Sequence, residues 1–309
     1  MLNQRPRVLD FDNSLIRQNK FIDRFQPVII GLKEIAPFAR LWLNEQTGQN
    51  IKKSLLPEMK NAVTFFGSGD FHHISSLLIG QFSEPFSVIV FDHHPDWDTL
   101  PPRIGCGSWV SRILKMPNIS KVVLLGISSD DISTFNIQSG NLDALKDNRL
   151  EIYPYEHAAT RVWLRKVPEN ISLSGKKMIL GSEIHWQQLK EKDLAQFLGQ
   201  LIQRLGVKKI YLSLDKDCLR GESALTNWEE GKLSLNYLLT ALKIIKEQAE
   251  IIGMDVTGEY SPVLASGRVK TLCSRLDHPA NYSAFGRADT VIDSVNAETN
   301  IRILETMLG

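Results

Sequence analysis

Cysteine is scarce in this chain. Only Cys106, Cys218 and Cys273 stand in 309 residues, an odd number at wide spacing, which argues against a disulfide framework and suits a reducing compartment. Charge of one sign is also lacking. The 36 Lys and Arg balance 35 Asp and Glu, so no general affinity for nucleic acid or an anionic membrane is expected. No apolar run reaches membrane-spanning length, and the opening residues MLNQRPRVLDFDNS lack the apolar stretch of a secretory leader. The expectation is a soluble, cytoplasmic protein whose partner is a small-molecule substrate. Apolar residues make up 43% and charged residues 23%, enough for a sizeable core and too apolar for wholesale disorder.

What is present is an alternation of strand-like and helical patterns. PRVLDF, PVIIG, NAVTFF, VIVF, KVVLLG, LEIYPY, KKMILG, VKKIYLSL and EIIGMDV read as strands, and RVWLRKV carries no clear period. Between them, EKDLAQFLGQLIQRLG, SLNYLLTALKIIKEQAE and NAETNIRILETML have the apolar spacing of amphipathic helices. LKEIAPFARLWLNEQ suits a helix broken or kinked at Pro37, and residues 263 to 282 read as irregular and polar. Neither a linker nor a repeat interrupts the alternation. It predicts one domain over residues 1–309, a three-layer α/β/α sandwich with a mostly parallel sheet.

The stretch Val88 to Asp98, VIVFDHHPDWD, runs a buried strand into Asp92, His94, Asp96 and Asp98. Open α/β sheets place their chemistry at such carboxyl ends. If the backbone stays extended, Asp92, His94 and Asp96 share a face. Carboxylates converging without a counter-charge repel, and a divalent cation removes that repulsion. VKKIYLSLDKDCL repeats the logic with Asp215 and Asp217, and NAVTFFGSGDFHH ends in a glycine turn followed by Asp70, His72 and His73. DFDNSL near the start resembles a phosphate-handling D-x-D-x-[TS]-L motif, but a strand ending in a capped turn, with Asn13 or Ser14 starting a helix, is the favoured reading. Trp97 and Trp109 flank the ligand loop, where core packing is their expected role. His157 and His278 lie in polar connections and read as surface or turn residues.

Taken in order, Gly-Asp-(x)-His, D-x-H-x-D and S-x-D-x-D resemble the arginase/agmatinase (ureohydrolase) superfamily over roughly residues 60 to 265. Glu259-Tyr-Ser-Pro is similar to the E-x-N-P segment whose glutamate meets the substrate's cationic group there. The resemblance implies an arginase-like fold and two manganese ions. One would take His72 or His73 with Asp92, Asp96 and Asp215; the other would take Asp92, His94, Asp215 and Asp217. Asp92 and Asp215 would bridge, and the shared water would attack a C–N bond of an amidino, guanidino or amide compound. Asp96, Glu259, Cys106 and His185 are the expected catalytic positions. Family members are often oligomers, so a homo-oligomer is compatible, though no residue pattern marks one.

The chain also departs from the family. GSGDFHH holds one residue more than G-G-D-H, so His72 and His73 compete for one role. Cys106 stands where many members have a proton-shuttling histidine, and His185 is the candidate substitute. CLRG replaces the usual residues after Asp217. A zinc-dependent deacetylase-like enzyme of the same broad fold and a non-catalytic metal-stabilised binding protein are the alternatives.

Overall fold

Six consecutive buried residues, Phe86–Phe91, form a strand whose side chains find apolar partners on both faces, as a sheet covered on two sides by helices requires. The computed structural model describes residues 2–55, 61–100, 104–167, 169–278 and 282–309. Its strands are β1 (Arg7–Asp10), β2 (Val28–Gly31), β3 (Val63–Phe65), β4 (Phe86–Phe91), β5 (Ile119–Leu125), β6 (Leu150–Tyr153), β7 (Thr160–Trp163), β8 (Leu173–Met178), β9 (Gly181–Trp186), β10 (Lys209–Asp215) and β11 (Glu250–Thr257). Eight of them form one parallel sheet in the order β2-β1-β3-β11-β10-β4-β5-β6. The expected layered α/β fold with a mostly parallel sheet is observed.

The two-residue period of the strands divides the core. Val88 and Val90 of β4 face one cluster with Trp109, Val110 and Ile113, while Ile89 and Phe91 face the other with Leu198, Leu201, Leu238 and Leu304. The second face is covered by the helices Leu194–Arg204, Leu235–Gln248 and Asp289–Leu308. Asp193 and Ser234 cap the first two through their side chains. Each large aliphatic side chain buried this way contributes roughly 1.5–3 kcal/mol. No helix among the described residues is long and apolar enough to cross a membrane.

Two local readings are corrected, and an undecided stretch is assigned. Pro37 does not kink a long helix; it sits in the first turn of a four-residue helix, Ala36–Ala39, where its missing N–H has no cost, and Asn44 caps a new helix, Glu45–Ser54. RVWLRKV and GSEIHWQQ contribute β7 and β9, which pair with β8 into a separate three-stranded antiparallel sheet. The stretch read as irregular contains a helix, Arg268–Asp277. Its pattern is inverted, with Val269 and Leu272 exposed while Lys270 and Ser274 are buried. A search for a buried apolar stripe therefore misses it.

Four adjacent strands, β3, β11, β10 and β4, end at one edge of the sheet. The candidate ligands His72, Asp92, His94, Asp96, Asp215 and Asp217 follow or close β3, β4 or β10.

Candidate metal centre

β4 stops at Phe91, and the chain bends through Asp92–Trp97 rather than staying extended. Asp96 adopts φ 47°, a left-handed conformation that costs a non-glycine residue roughly 1–2 kcal/mol and is most accessible to Asn and Asp. The convergence expected of Asp92, His94 and Asp96 is thus reached by a tight turn, not by strand alternation. The turn is fixed from within, since the His94 N–H donates to Asp92 Oδ1 (2.8 Å) and the Trp109 indole N–H donates to Asp96 Oδ2 (2.7 Å). β10 delivers Asp215, and a 3₁₀ turn over Lys216–Cys218 folds Asp217 back so that its N–H donates to Asp215 Oδ1 (3.0 Å).

His72 lies on a 3₁₀ segment, Gly69–Ile74, after β3. Its Nδ1 is 3.1 Å from Asp92 Oδ2, 3.1 Å from Asp96 Oδ2 and 3.6 Å from Asp215 Oδ2. On the other side of the ring, Nε2 is 3.0 Å from Ser213 Oγ, whose hydroxyl donates to Asp255 Oδ1 at 2.7 Å. This chain makes Nε2 the proton-bearing nitrogen and turns Nδ1 toward the carboxylates. His73 faces away: burial and the nearby Lys270 push it down to about 3, and neither ring nitrogen lies in the cluster. His94 Nδ1 sits 3.0 Å from Asp217 Oδ2, and its Nε2 lies 3.7 Å from the exposed Glu229.

Three donor groups result among the described residues, each with ligand atoms within 4.8 Å of one another: His93–His94–Glu229, and the two triads His72–Asp92–Asp96 and Asp92–His94–Asp217. Asp92 belongs to both triads. The residues fit a divalent cation: His72 Nδ1 and Asp92 Oδ2 are buried and make no hydrogen bond. Among the described residues, no lysine or arginine is ion-paired to Asp92, Asp96, Asp215 or Asp217. Burial, together with neighbouring carboxylates, drives Asp92 well above the usual carboxylate range and Asp215 up to about 8. Burial works against the His72 imidazolium, but Asp92 and Asp96 outweigh it and raise its affinity for a proton. A metal ion placed there would meet the same field.

Asp92, His94, Asp96, Asp215 and Asp217 form the floor of a cavity of about 560 Å³, also lined by Trp42, Trp97, Trp228, Cys106 and Cys273 and by Asp98, Asp131 and Glu229. The first motif's Asp70 serves a wall, not the floor. It accepts from Arg40 (2.5 Å), from the Trp228 indole (3.2 Å) and from His278 (2.8 Å). Burial alone would raise Asp70, yet Arg40 and His278 hold it below its ordinary value. His278 is therefore a partner of a buried carboxylate and not a surface residue. Near the N-terminus, Asp12 accepts from the Ser14 and Ser68 N–H groups, which makes a turn, but neither Asn13 nor Ser14 starts a helix: the first helix is Asn19–Phe25, after Gln18.

Two expected positions fall outside the cavity. His185 is on β9, half exposed and 3.1 Å from Glu183, because the small antiparallel sheet carries it away from the strand ends. Glu259 is 2% exposed and paired with Lys216, itself fully buried. Gln18 and Asn300 also donate to Glu259, each at 2.8 Å. Its carboxylate is satisfied by the protein. The residues missed from sequence are Asp255, Lys216, Asp131 and Glu229. Asp255 followed a strand pattern that signalled only core, and Lys216 stood between two ligands in plain view.

No protein-family model matches the chain. It is 26% identical over 238 residues to an uncharacterized protein of Thermotoga maritima, covering 75% of each. Among solved structures it superposes on an arginase from Bacillus subtilis with TM-score 0.60 at 16% identity, covering 99% of this chain and 98% of that one. It also matches the proclavaminate amidino hydrolase of Streptomyces clavuligerus with TM-score 0.56 at 13% identity, covering 100% and 93%. The chain has the fold of the arginase/ureohydrolase superfamily.

The raised value of Asp215 fixes a sign. A carboxyl whose folded value exceeds its unfolded value, ordinarily about 3.9, opposes folding once pH rises above the unfolded value, and the penalty is complete above the folded value. Metal-free Asp215→Asn should therefore match wild type near pH 4 and become more stable as pH rises to about 8. The gain should be on the order of a few kcal/mol, while any stabilisation by an added divalent cation should shrink. A urea series at several pH values checks this; a gap independent of pH contradicts it. Ser213→Ala should weaken metal affinity roughly 10–100-fold without unfolding the chain, which calorimetric titration measures. Glu259→Gln should cost about 3–5 kcal/mol by leaving Lys216 as a buried unpaired charge, and Lys216→Met added to it should recover most of the loss. Equal denaturation midpoints for wild type and Glu259→Gln would contradict the pairing.

Proposed function

We propose that the chain is a metal-dependent hydrolase that uses two manganese ions to cleave a C–N bond, other than a peptide bond, in an amidino, guanidino or amide small molecule. The observation that carries this reading is the pair of donor triads sharing Asp92 at the cavity floor. Likeness in fold to an arginase and to an amidino hydrolase supports it. A donor set rich in carboxylate, with one imidazole in each triad and no thiolate, suits manganese better than a structural zinc. His72, Asp92 and Asp96 would hold one ion and Asp92, His94 and Asp217 the other, with Asp215 beside both.

Two such ions, when bound, supply a water acidic enough to act as a nucleophile near neutral pH. The protein's own groups then position and move protons. The Trp109 indole N–H holds Asp96 in place, and Asp96 is the carboxylate placed to accept a proton beside the scissile bond. Cys106 lines the cavity within the field of Lys270, whose positive charge favours a thiolate. Trp97 and Trp228 exclude bulk water from the floor, which strengthens each electrostatic contact there.

Elemental analysis of protein purified without chelator, followed by a manganese-replete screen of amidines, guanidines and amides, tests the reading. Two manganese ions per chain with release of ammonia, urea or an amine is the expected result. One tightly held zinc would favour the deacetylase-like alternative. Full occupancy without turnover across the panel would favour a binding protein.

A further inference from the structure

The three-stranded sheet of β7, β8 and β9 supplies no ligand to the metal centre, and its two faces are built differently. On the inner face Val162, Leu173, Ile184 and Trp186 are buried in the core. On the outer face, at the closed end of the hairpin, Trp163 and Met178 both pair with Gly181, and both are exposed. Gly181 has φ +133°, and a Cβ there would come within 2.0 Å of the Val162 carbonyl oxygen. The position takes glycine and leaves the space between those two side chains open.

The turn joining β8 to β9 consists of Ile179 and Leu180. Two-residue hairpin turns ordinarily carry Asn, Asp or Gly, whereas this one presents two aliphatic side chains to solvent, with Ile179 fully exposed and Leu180 71% exposed. Beside it, Leu164 is 86% exposed, has φ 58° and donates its N–H to the Leu180 carbonyl at 3.3 Å. Large side chains avoid that left-handed conformation. Phe135, also exposed, stands edge-on to Trp163 with ring centroids 5.6 Å apart. Turn chemistry, backbone preference and solvation are all set aside at one spot, which marks a surface that something covers.

Cations flank this patch. Lys176 and Lys177 directly precede Met178, Arg165 and Lys166 directly follow Leu164, and all four are exposed. Glu183 is taken by Arg161 (3.6 Å) and His185 (3.1 Å); among the described residues none of those four cations is in an ion pair. The charge balance of the whole chain conceals this local excess. A second copy seated on the same patch would set these cations face to face, because a two-fold contact opposes like surfaces. A nucleic acid would meet the cations and leave the aliphatic turn uncovered. An anionic lipid surface satisfies both: phosphates meet the lysines and arginines, acyl chains receive the aliphatic turn, and an indole sits at the boundary between them.

We propose that the β8–β9 hairpin is a peripheral docking element for an anionic lipid bilayer, with Ile179 and Leu180 entering its apolar layer and Arg165, Lys166, Lys176 and Lys177 held on its headgroups. Such a contact needs no spanning helix.

Flotation of the full chain with vesicles of equal parts phosphatidylcholine and phosphatidylglycerol, compared with pure phosphatidylcholine, tests this at low and high salt. Binding to the mixed vesicles should be stronger by about tenfold and should fall as salt rises. Ile179→Ser combined with Leu180→Ser should remove most of it. Lys176→Gln combined with Lys177→Gln should weaken it about tenfold and bring the two vesicle types close together. Both double variants should keep the wild-type denaturation midpoint, since the inner face carries the packing of this sheet, and that measurement separates lost binding from lost fold. Absence of flotation, equal flotation with both vesicle types, or undiminished binding by either double variant would overturn the proposal. So would a dimer, seen by sedimentation without lipid, that Ile179→Ser with Leu180→Ser abolishes, because the patch would then belong to a second copy.

Discussion

Repulsion among carboxylates is the constraint on which the site depends. Four aspartates are brought to one buried floor, where each ionised group disfavours the next and solvation is withheld. The sheet makes this possible because its strands are stiff and buried on both faces. The ends of β4 and β10 can hold like charges together, since the cost is spread over the packing of two apolar clusters. A site strained in this way is stabilised by cations and by protons, which compete for it. Metal affinity, protonation and fold stability are therefore coupled.

The surrounding hydrogen bonds set direction more than strength. Ser213 and Asp255 turn His72, Trp109 pins Asp96, and Asp70 with Arg40 and His278 positions Trp228 in the wall. Behind the floor, Gly258 is a position where glycine is required. It has φ +87°, and a Cβ there would come within 2.4 Å of Asp215 Oδ1 and 2.6 Å of the Lys216 N–H nitrogen. The Lys216–Glu259 pair thus packs directly against the floor's backbone.

Much of this was legible in the residues. The strands that carry ligands are continuous apolar runs, and an acidic cluster at the end of such a run has few structural explanations. Hence Asp92, His94, Asp96, Asp215 and Asp217 stood out from spacing alone. The choice between His72 and His73 did not, because a 3₁₀ turn rotates successive side chains by about a third of a circle, sending one to Ser213 and the other toward Lys270. The role of Glu259 was misread for a different reason. Its counter-ion lies 43 residues away in sequence, and nothing local shows that a carboxylate is already paired. His185 was misplaced because a separate antiparallel sheet, short and mostly polar on one side, breaks the rule that strands feed one edge.

The central claim is that two ions share Asp92. Anomalous diffraction from manganese-soaked crystals, collected on both sides of the manganese edge, tests it most directly. The account predicts two peaks, one among His72, Asp92 and Asp96 and one among Asp92, His94 and Asp217. A single peak at full occupancy, or peaks remote from Asp92, would contradict it.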